Sequence, residues 1–210
     1  MLPICLAYFA SNCLLENAIV PNKLANSSSK ISVEQYFCQG KRDYFNYKLD
    51  TALTNFYQAL RRNPNYADIY FYRGNSYTLL GNLPTALNNF NFLLRLKPDF
   101  PNAHLVYANR GTAYARSKNY RAAIADYTQS IRLNSSTPLV RENRGFAYYF
   151  SGSPQAAIAD FQAEGRLFRF KFTQMMELIE AIRHKDESKL KTNWPIIAPN
   201  KSQEMKDCKN

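Results

Sequence analysis

The 210-residue chain is 46% hydrophobic and 20% charged, with a formal net charge of +11. That is enough chain for one or two ordinary domains, and the apolar content suits a globular protein with a sizeable core. The basic excess is spread out, with no dense Lys/Arg block to mark a nucleic-acid stripe; the balance alone still admits acidic protein, nucleic acid or anionic membrane as partners.

Residues 1–32 begin with an apolar run that ends at Glu16 and carries no Lys or Arg before Lys23. The run is too short to span a bilayer, and it lacks the basic start of a secretory signal. An apolar leader, a helix packed against the first repeat, a degenerate signal and a clipped gene start remain open. The cytoplasm is favoured as compartment; export follows if residues 1–25 act as a signal, and this segment is the one candidate for membrane association. No later stretch is long and apolar enough to span a bilayer.

From residue 33 the sequence repeats itself. Ala122–Tyr127 reads AAIADY and Ala156–Phe161 reads AAIADF, 34 positions later; Asn109–Tyr114 (NRGTAY) recurs as Asn143–Tyr148 (NRGFAY) at the same offset. Tyr72–Tyr77 (YRGNSY) is a further copy. In each unit a Gly is followed by an Ala and then an aromatic: Gly40/Ala52/Phe56, Gly74/Ala86/Phe90, Gly111/Ala123/Tyr127 and Gly145/Ala157/Phe161. Such a period predicts stacked supersecondary units. The four units are 33–66, 67–100, 104–137 and 138–171, with Pro101–Ala103 as a loop insertion. A mid-helix Gly costs about 1 kcal/mol against Ala, so its recurrence needs a packing reason; each Gly is expected to face the Ala of the following helix. Pro64 and Pro98 are expected to end helices, Pro138 to enter the first turn of one and Thr137 to cap it. Arg110 and Arg144 precede the Gly and stand sixteen positions before Asp126 and Asp160, so each Arg–Asp pair is expected to meet between helices.

Phe172, Met175, Met176, Ile179 and Ile182 recur at helical spacing, predicting a terminal capping helix over 172–186. Residues 187–210 are polar and basic and read as a flexible tail, although Asn193–Pro199 (NWPIIAP) is apolar and holds the single Trp. Cys5, Cys13, Cys38 and Cys208 form neither a CxxC pair nor a zinc spacing and are expected to be unpaired thiols. His104 and His184 are isolated, and there is no phosphate-cradling Gly loop. The chain is therefore read as no enzyme, with no catalytic residue, metal site or cofactor.

Tyr70-x2-Arg73-Gly74-x2-Tyr77…Ala86-x3-Phe90…Pro98 resembles the tetratricopeptide repeat, and the paired NRG and AIADY motifs are similar in style to bacterial, notably cyanobacterial, members. The resemblance covers about two thirds of the chain. It implies an all-α fold, a right-handed α-solenoid of antiparallel helix pairs, acting as a protein-interaction scaffold that takes a peptide or partner helix in its concave groove. Carried over by position, the groove register falls on Phe37, Cys38 and Lys41 in the first unit. In the later units the candidate groove residues are Phe71, Tyr72, Asn75, Asn109, Thr112, Arg116, Glu142, Asn143, Phe146 and Tyr149. Asn109 and Asn143 share a register, where a carboxamide that both donates and accepts either holds a peptide backbone or bonds within the scaffold. The Lys/Asn clamp of the chaperone-tail-binding members is missing: Phe37 and Lys41, Tyr72, and Leu105 and Asn109 stand at its positions. The expected partner is a protein or peptide, with nucleic acid disfavoured. The alternatives are an RNA-binding helical-repeat protein and a self-regulated adaptor whose own tail docks in the groove.

Overall fold

The computed structural model describes residues 31–167, 172–190, 194–197 and 199–208. The expectations for residues 1–30, Cys5 and Cys13 included, lie outside the described residues. The chain divides into two units, Met1–Ile31 and Ser32–Asn210; the repeats and the C-terminal tail both belong to the second.

Among the described residues the fold is all-α. Four antiparallel hairpins succeed one another: α1 (Val33–Phe45) with α2 (Leu49–Arg62), α3 (Ala67–Leu79) with α4 (Leu83–Leu96), α5 (Ala103–Arg116) with α6 (Tyr120–Leu133), and α7 (Val140–Phe150) with α8 (Pro154–Leu167). A ninth helix, α9 (Phe172–Arg183), packs on α8. Ser32 and Gln35 close a capping box at α1, and the Asn82 and Asn119 side chains cap α4 and α6 by accepting from the Thr85 and Ala122 amides. Each satisfies an amide that a helix start leaves unpaired.

The turn inside each hairpin has one solution used four times. A residue in the left-handed region stands at the same register in all of them: Tyr47 (φ 58°), Gly81 (φ 78°), Lys118 (φ 61°) and Gly152 (φ 84°). The next residue's N–H then reaches back to close the helix end, as from Asn82 to Tyr77 O (2.9 Å) and from Ser153 to Tyr148 O (2.8 Å). Glycine adopts this conformation freely, whereas Tyr and Lys adopt it at a cost of about 1–2 kcal/mol.

Between the two helices of each hairpin, the atoms nearest the Gly belong to a ring, and the expected Ala is among the nearest only at Gly111, through its backbone. A Cβ built on Gly74 falls 2.5 Å from Phe90, one on Gly145 falls 2.7 Å from Phe161, and one on Gly111 falls 2.9 Å from Tyr127. The alanines Ala52, Ala86, Ala123 and Ala157 are buried one turn away, and at Gly111 the Ala123 carbonyl also approaches, to 3.3 Å. The missing side chain thus makes room for an aromatic that would otherwise separate the helices.

Arg110 and Asp126 form a two-pronged pair, Nε to Oδ2 and Nη2 to Oδ1, both 2.7 Å; Arg144 and Asp160 repeat it at the same distances. The remaining guanidinium nitrogen bonds back to the preceding unit, at Asn91 Oδ1 (2.8 Å) and Thr128 Oγ1 (3.0 Å) respectively. Each Arg therefore joins three helices. The expectation at Pro138 fails: α7 starts only at Val140, because Leu139 takes φ 67° and gives its N–H to Glu164 Oε1 (3.0 Å), while Thr137 bonds backward to Asn134 O. On α9, Met175, Ile179 and Ile182 are buried, whereas Met176 faces outward.

Candidate peptide groove

The first helices of the hairpins, α1, α3, α5 and α7, present three aligned registers along one face: Cys38, Tyr72, Asn109 and Asn143; Lys41, Asn75, Thr112 and Phe146; Phe45, Leu79, Arg116 and Phe150. The C-terminal segment lies along them. The expected flexible tail is therefore corrected: Trp194, Ile197 and Cys208 are all buried, because apolar residues spaced along an otherwise polar stretch meet complementary sites on the helices.

The segment runs against the order of the hairpins. It starts at the fourth, where the Trp194 ring sits among Tyr120 (6.2 Å between centroids, stacked), Phe146 (6.3 Å, edge-on) and Phe150 (6.1 Å). Such aromatic clusters add about 0.5–1.5 kcal/mol per pair beyond area burial. Next, the Pro195 carbonyl lies 3.4 Å from Thr112 Oγ1 and 3.5 Å from Asn143 Nδ2. The Ile197 N–H donates to Asn109 Oδ1 (2.7 Å), and Asn109 Nδ2 donates to Ile197 O (3.0 Å) and to Asn75 Oδ1 (3.0 Å). Asn109 is fully buried, so this one carboxamide reads the peptide backbone and is itself held by the neighbouring unit.

Beyond Pro199 a single helical turn, α10 (Lys201–Glu204), is capped by Asn200 Oδ1 on the Ser202 amide (2.9 Å). It delivers Glu204 to the first two hairpins. Lys41 Nζ donates to Glu204 Oε2 (3.0 Å) and to its carbonyl, and the Tyr72 hydroxyl donates to the same Oε2 (2.6 Å). Lys41 is only 3% exposed, a costly place for an ammonium without an anion; the Phe37 and Tyr72 rings, 5.2 and 5.6 Å away, add cation–π attraction. Burial, with Glu204 adding to it, raises the Tyr72 phenol far above its ordinary range, so it stays a proton donor. The segment ends at Cys208, bonded to Cys38 across 170 positions. Unpaired thiols were expected at both; the correction follows from the path of the tail, which brings two distant residues together. Between segment and helices, Tyr44, Phe45, Leu79, Arg116, Pro195, Ile196 and Lys201 line much of a cavity of about 450 Å³.

Of the candidate groove residues, Tyr72, Asn109, Thr112, Asn143 and Phe146 touch the tail, Asn75 supports Asn109, and Arg116 lines the cavity while donating to Thr78 O (2.6 Å). Phe71 lies in the core against Tyr72 and Phe100. Tyr149 is half-buried with its ring edge-on to Phe150, and Glu142 is half-exposed on α7. Sequence reasoning did not select Tyr120 or Phe150. It placed Lys41 and Cys38 in the groove register but assigned Lys41 no carboxylate and Cys38 no disulfide, although that register was the signal available.

Among the described residues no group of three or more His, Cys, Asp or Glu is placed to hold a metal, and no helix is long and apolar enough to cross a membrane.

Tetratricopeptide repeat profiles match residues 55–88 and 108–167. No curated protein matches the sequence. Solved structures resemble the fold at low identity. A MamA fragment from Desulfovibrio magneticus RS-1 is 18% identical with a TM-score of 0.64, covering 75% of this chain and 88% of that one. YrrB, described as a TPR protein with an unusual peptide-binding site, is 18% identical with a TM-score of 0.63, covering 77% and 82%. The first TPR of Spaghetti (RPAP3), bound to the HSP90 peptide SRMEEVD, is 22% identical with a TM-score of 0.51, covering 57% and 94%.

Proposed function

Since the chain is a tetratricopeptide repeat protein, we propose that it is a non-catalytic scaffold whose groove binds an extended peptide from a protein partner, with its own segment 194–208 as the resident occupant. The observation that carries this reading is the reciprocal pair between Asn109 and the Ile197 backbone. A carboxamide that satisfies both polar groups of one residue binds a strand-like chain whatever its side chains, and its burial makes the bond costly to leave unmade. The aromatic pocket around Trp194 adds an anchor of the kind that dominates interface energetics. Two neighbours of the same fold support the reading, since one is described by its peptide-binding site and the other was solved with a peptide bound.

The test empties the groove without shortening the chain. Full-length protein carrying Trp194→Gly, Ile197→Gly, Glu204→Gly and Cys208→Ser is titrated against a labelled peptide matching residues 191–208, itself with Cys208→Ser, and anisotropy is followed. One-to-one saturable binding is expected, weakened about tenfold or more by Asn109→Ala. Absence of binding, or binding indifferent to Asn109→Ala, would refute the groove reading.

A further inference from the structure

The first-hairpin end of the groove carries a charge that the helices alone leave poorly compensated. Lys41 is buried, and the anion it bonds is Glu204 of the tail. Tyr72 sends its proton to the same oxygen. Asp68 on α3 is within electrostatic range of both Lys41 and Glu204, and burial, foremost, pushes its pKa above the ordinary carboxylate value. The anion that Lys41 meets directly is Glu204, at 3.0 Å. An occupant that displaced the tail without bringing a carboxylate would strand a desolvated ammonium between two aromatic rings.

Resting on the groove reading above, we propose that Lys41 and Tyr72 form a carboxylate subsite that selects the partner. The groove takes segments with an aromatic residue and Pro at the fourth hairpin, an aliphatic residue whose backbone meets Asn109, and a Glu side chain seven positions further on, the spacing from Ile197 to Glu204. Direction is fixed by the same arrangement: the N-terminal end of the ligand lies at α7 and the acidic end at α1. The subsite reads an internal side chain placed by a helical turn. It falls in the register of the family's clamp for a chain-terminal carboxylate but is built from other residues, since Phe37, Lys41, Tyr72, Leu105 and Asn109 stand at the clamp's positions here.

The experiment uses the emptied full-length protein and two probe peptides of residues 191–208, one native and one with Glu204→Gln, both with Cys208→Ser. The native peptide is expected to bind about ten- to a hundredfold tighter, the scale of a buried charge-assisted hydrogen bond. Lys41→Met should bring the two peptides to near-equal affinity by weakening the native one alone, and Lys41→Arg should keep part of the preference. Tyr72→Phe, which retains the ring, gives a second reading and should shrink the preference without abolishing it. Circular dichroism confirms that each variant is folded. Equal affinity of the two peptides for the unsubstituted groove would overturn the subsite and leave peptide binding intact. Failure of both peptides to bind would instead sink the groove reading beneath it.

Discussion

Cys38 on α1 and Cys208 at the far end of the tail are joined by a disulfide, with their Cα atoms 5.3 Å apart. The bond encloses the chain from Cys38 within α1 through the other three hairpins and α9 in one covalent loop. Its effect on the unfolded chain is large because the loop is long: the chain-entropy argument gives about 5 kcal/mol for a loop of this size, against about 2–5 kcal/mol measured for native disulfides. Reduction, or Cys38→Ala with Cys208→Ala, is therefore expected to lower unfolding stability by about 2–5 kcal/mol. Denaturant titration with and without a dithiol reads this directly. An unchanged midpoint would mean that the bond adds nothing to stability.

Gly74→Ala sets two effects of opposite sign against each other. Helix propensity favours Ala by about 1 kcal/mol. The added Cβ, however, would stand 2.5 Å from the fully buried Phe90 ring, and overpacking of this kind costs about 1–3 kcal/mol. The ring is enclosed on every side, so the clash should win, with a net loss of up to about 2 kcal/mol. Thermal unfolding of the variant checks it; a gain in stability would show that the ring moves aside freely.

Lys118→Gly should stabilise the protein. Lys118 is exposed and holds φ 61° at a turn where the second and fourth hairpins use Gly. Relief of about 1–2 kcal/mol of left-handed strain exceeds the roughly 0.5–1 kcal/mol that glycine costs in the unfolded chain. The expected gain is about 0.5–1 kcal/mol, measured by denaturant midpoint, and Gly152→Lys should lose stability in the mirror experiment.

Tyr127 supplies a pH dependence. Burial raises its phenol pKa above the ordinary value of 10.0, against a smaller opposing hydrogen bond from Thr112. The folded state thus keeps the proton where the unfolded state loses it. The contribution is fully present below the unfolded pKa and declines as pH rises beyond it, by about 1.4 kcal/mol per pH unit for each such tyrosine. Tyr44 and Tyr72 are shifted the same way, burial again foremost. Denaturation midpoints should fall steeply on the alkaline side, and Tyr127→Phe should make that fall shallower. An unaltered alkaline limb in Tyr127→Phe would count against the shift.

The parts of this molecule that a sequence reveals are those that recur. Gly74, Gly111 and Gly145 each return with an aromatic sixteen positions on, and the hairpins follow from that. Arg110–Asp126 and Arg144–Asp160 were legible for the same reason: one spacing occurs twice, and a helical hairpin brings its two ends together. The turns were less so, since Tyr47 and Lys118 hide a conformation that Gly81 and Gly152 announce. Docking of the tail in the groove was legible only as one alternative, from apolar Asn193–Pro199 and its Trp, and its register on the helices was not legible. Ile197 meets Asn109 across 88 positions and Cys208 meets Cys38 across 170; both pairings depend on the finished groove, and no periodicity encodes them. Composition even pointed the other way, because the few apolar residues that anchor the segment are diluted among Lys, Asn and Ser.

The tail's return along the groove has a mechanical consequence. An open stack of hairpins stretches like a spring, each interface yielding a little under load. Here a strap leaves the last hairpin, crosses the open side and is bolted to the first helix by Cys208. Pulled at its two ends, the coil hands tension to the strap before the hairpins separate, so its pitch is fixed while the bolt holds and elastic once it is cut.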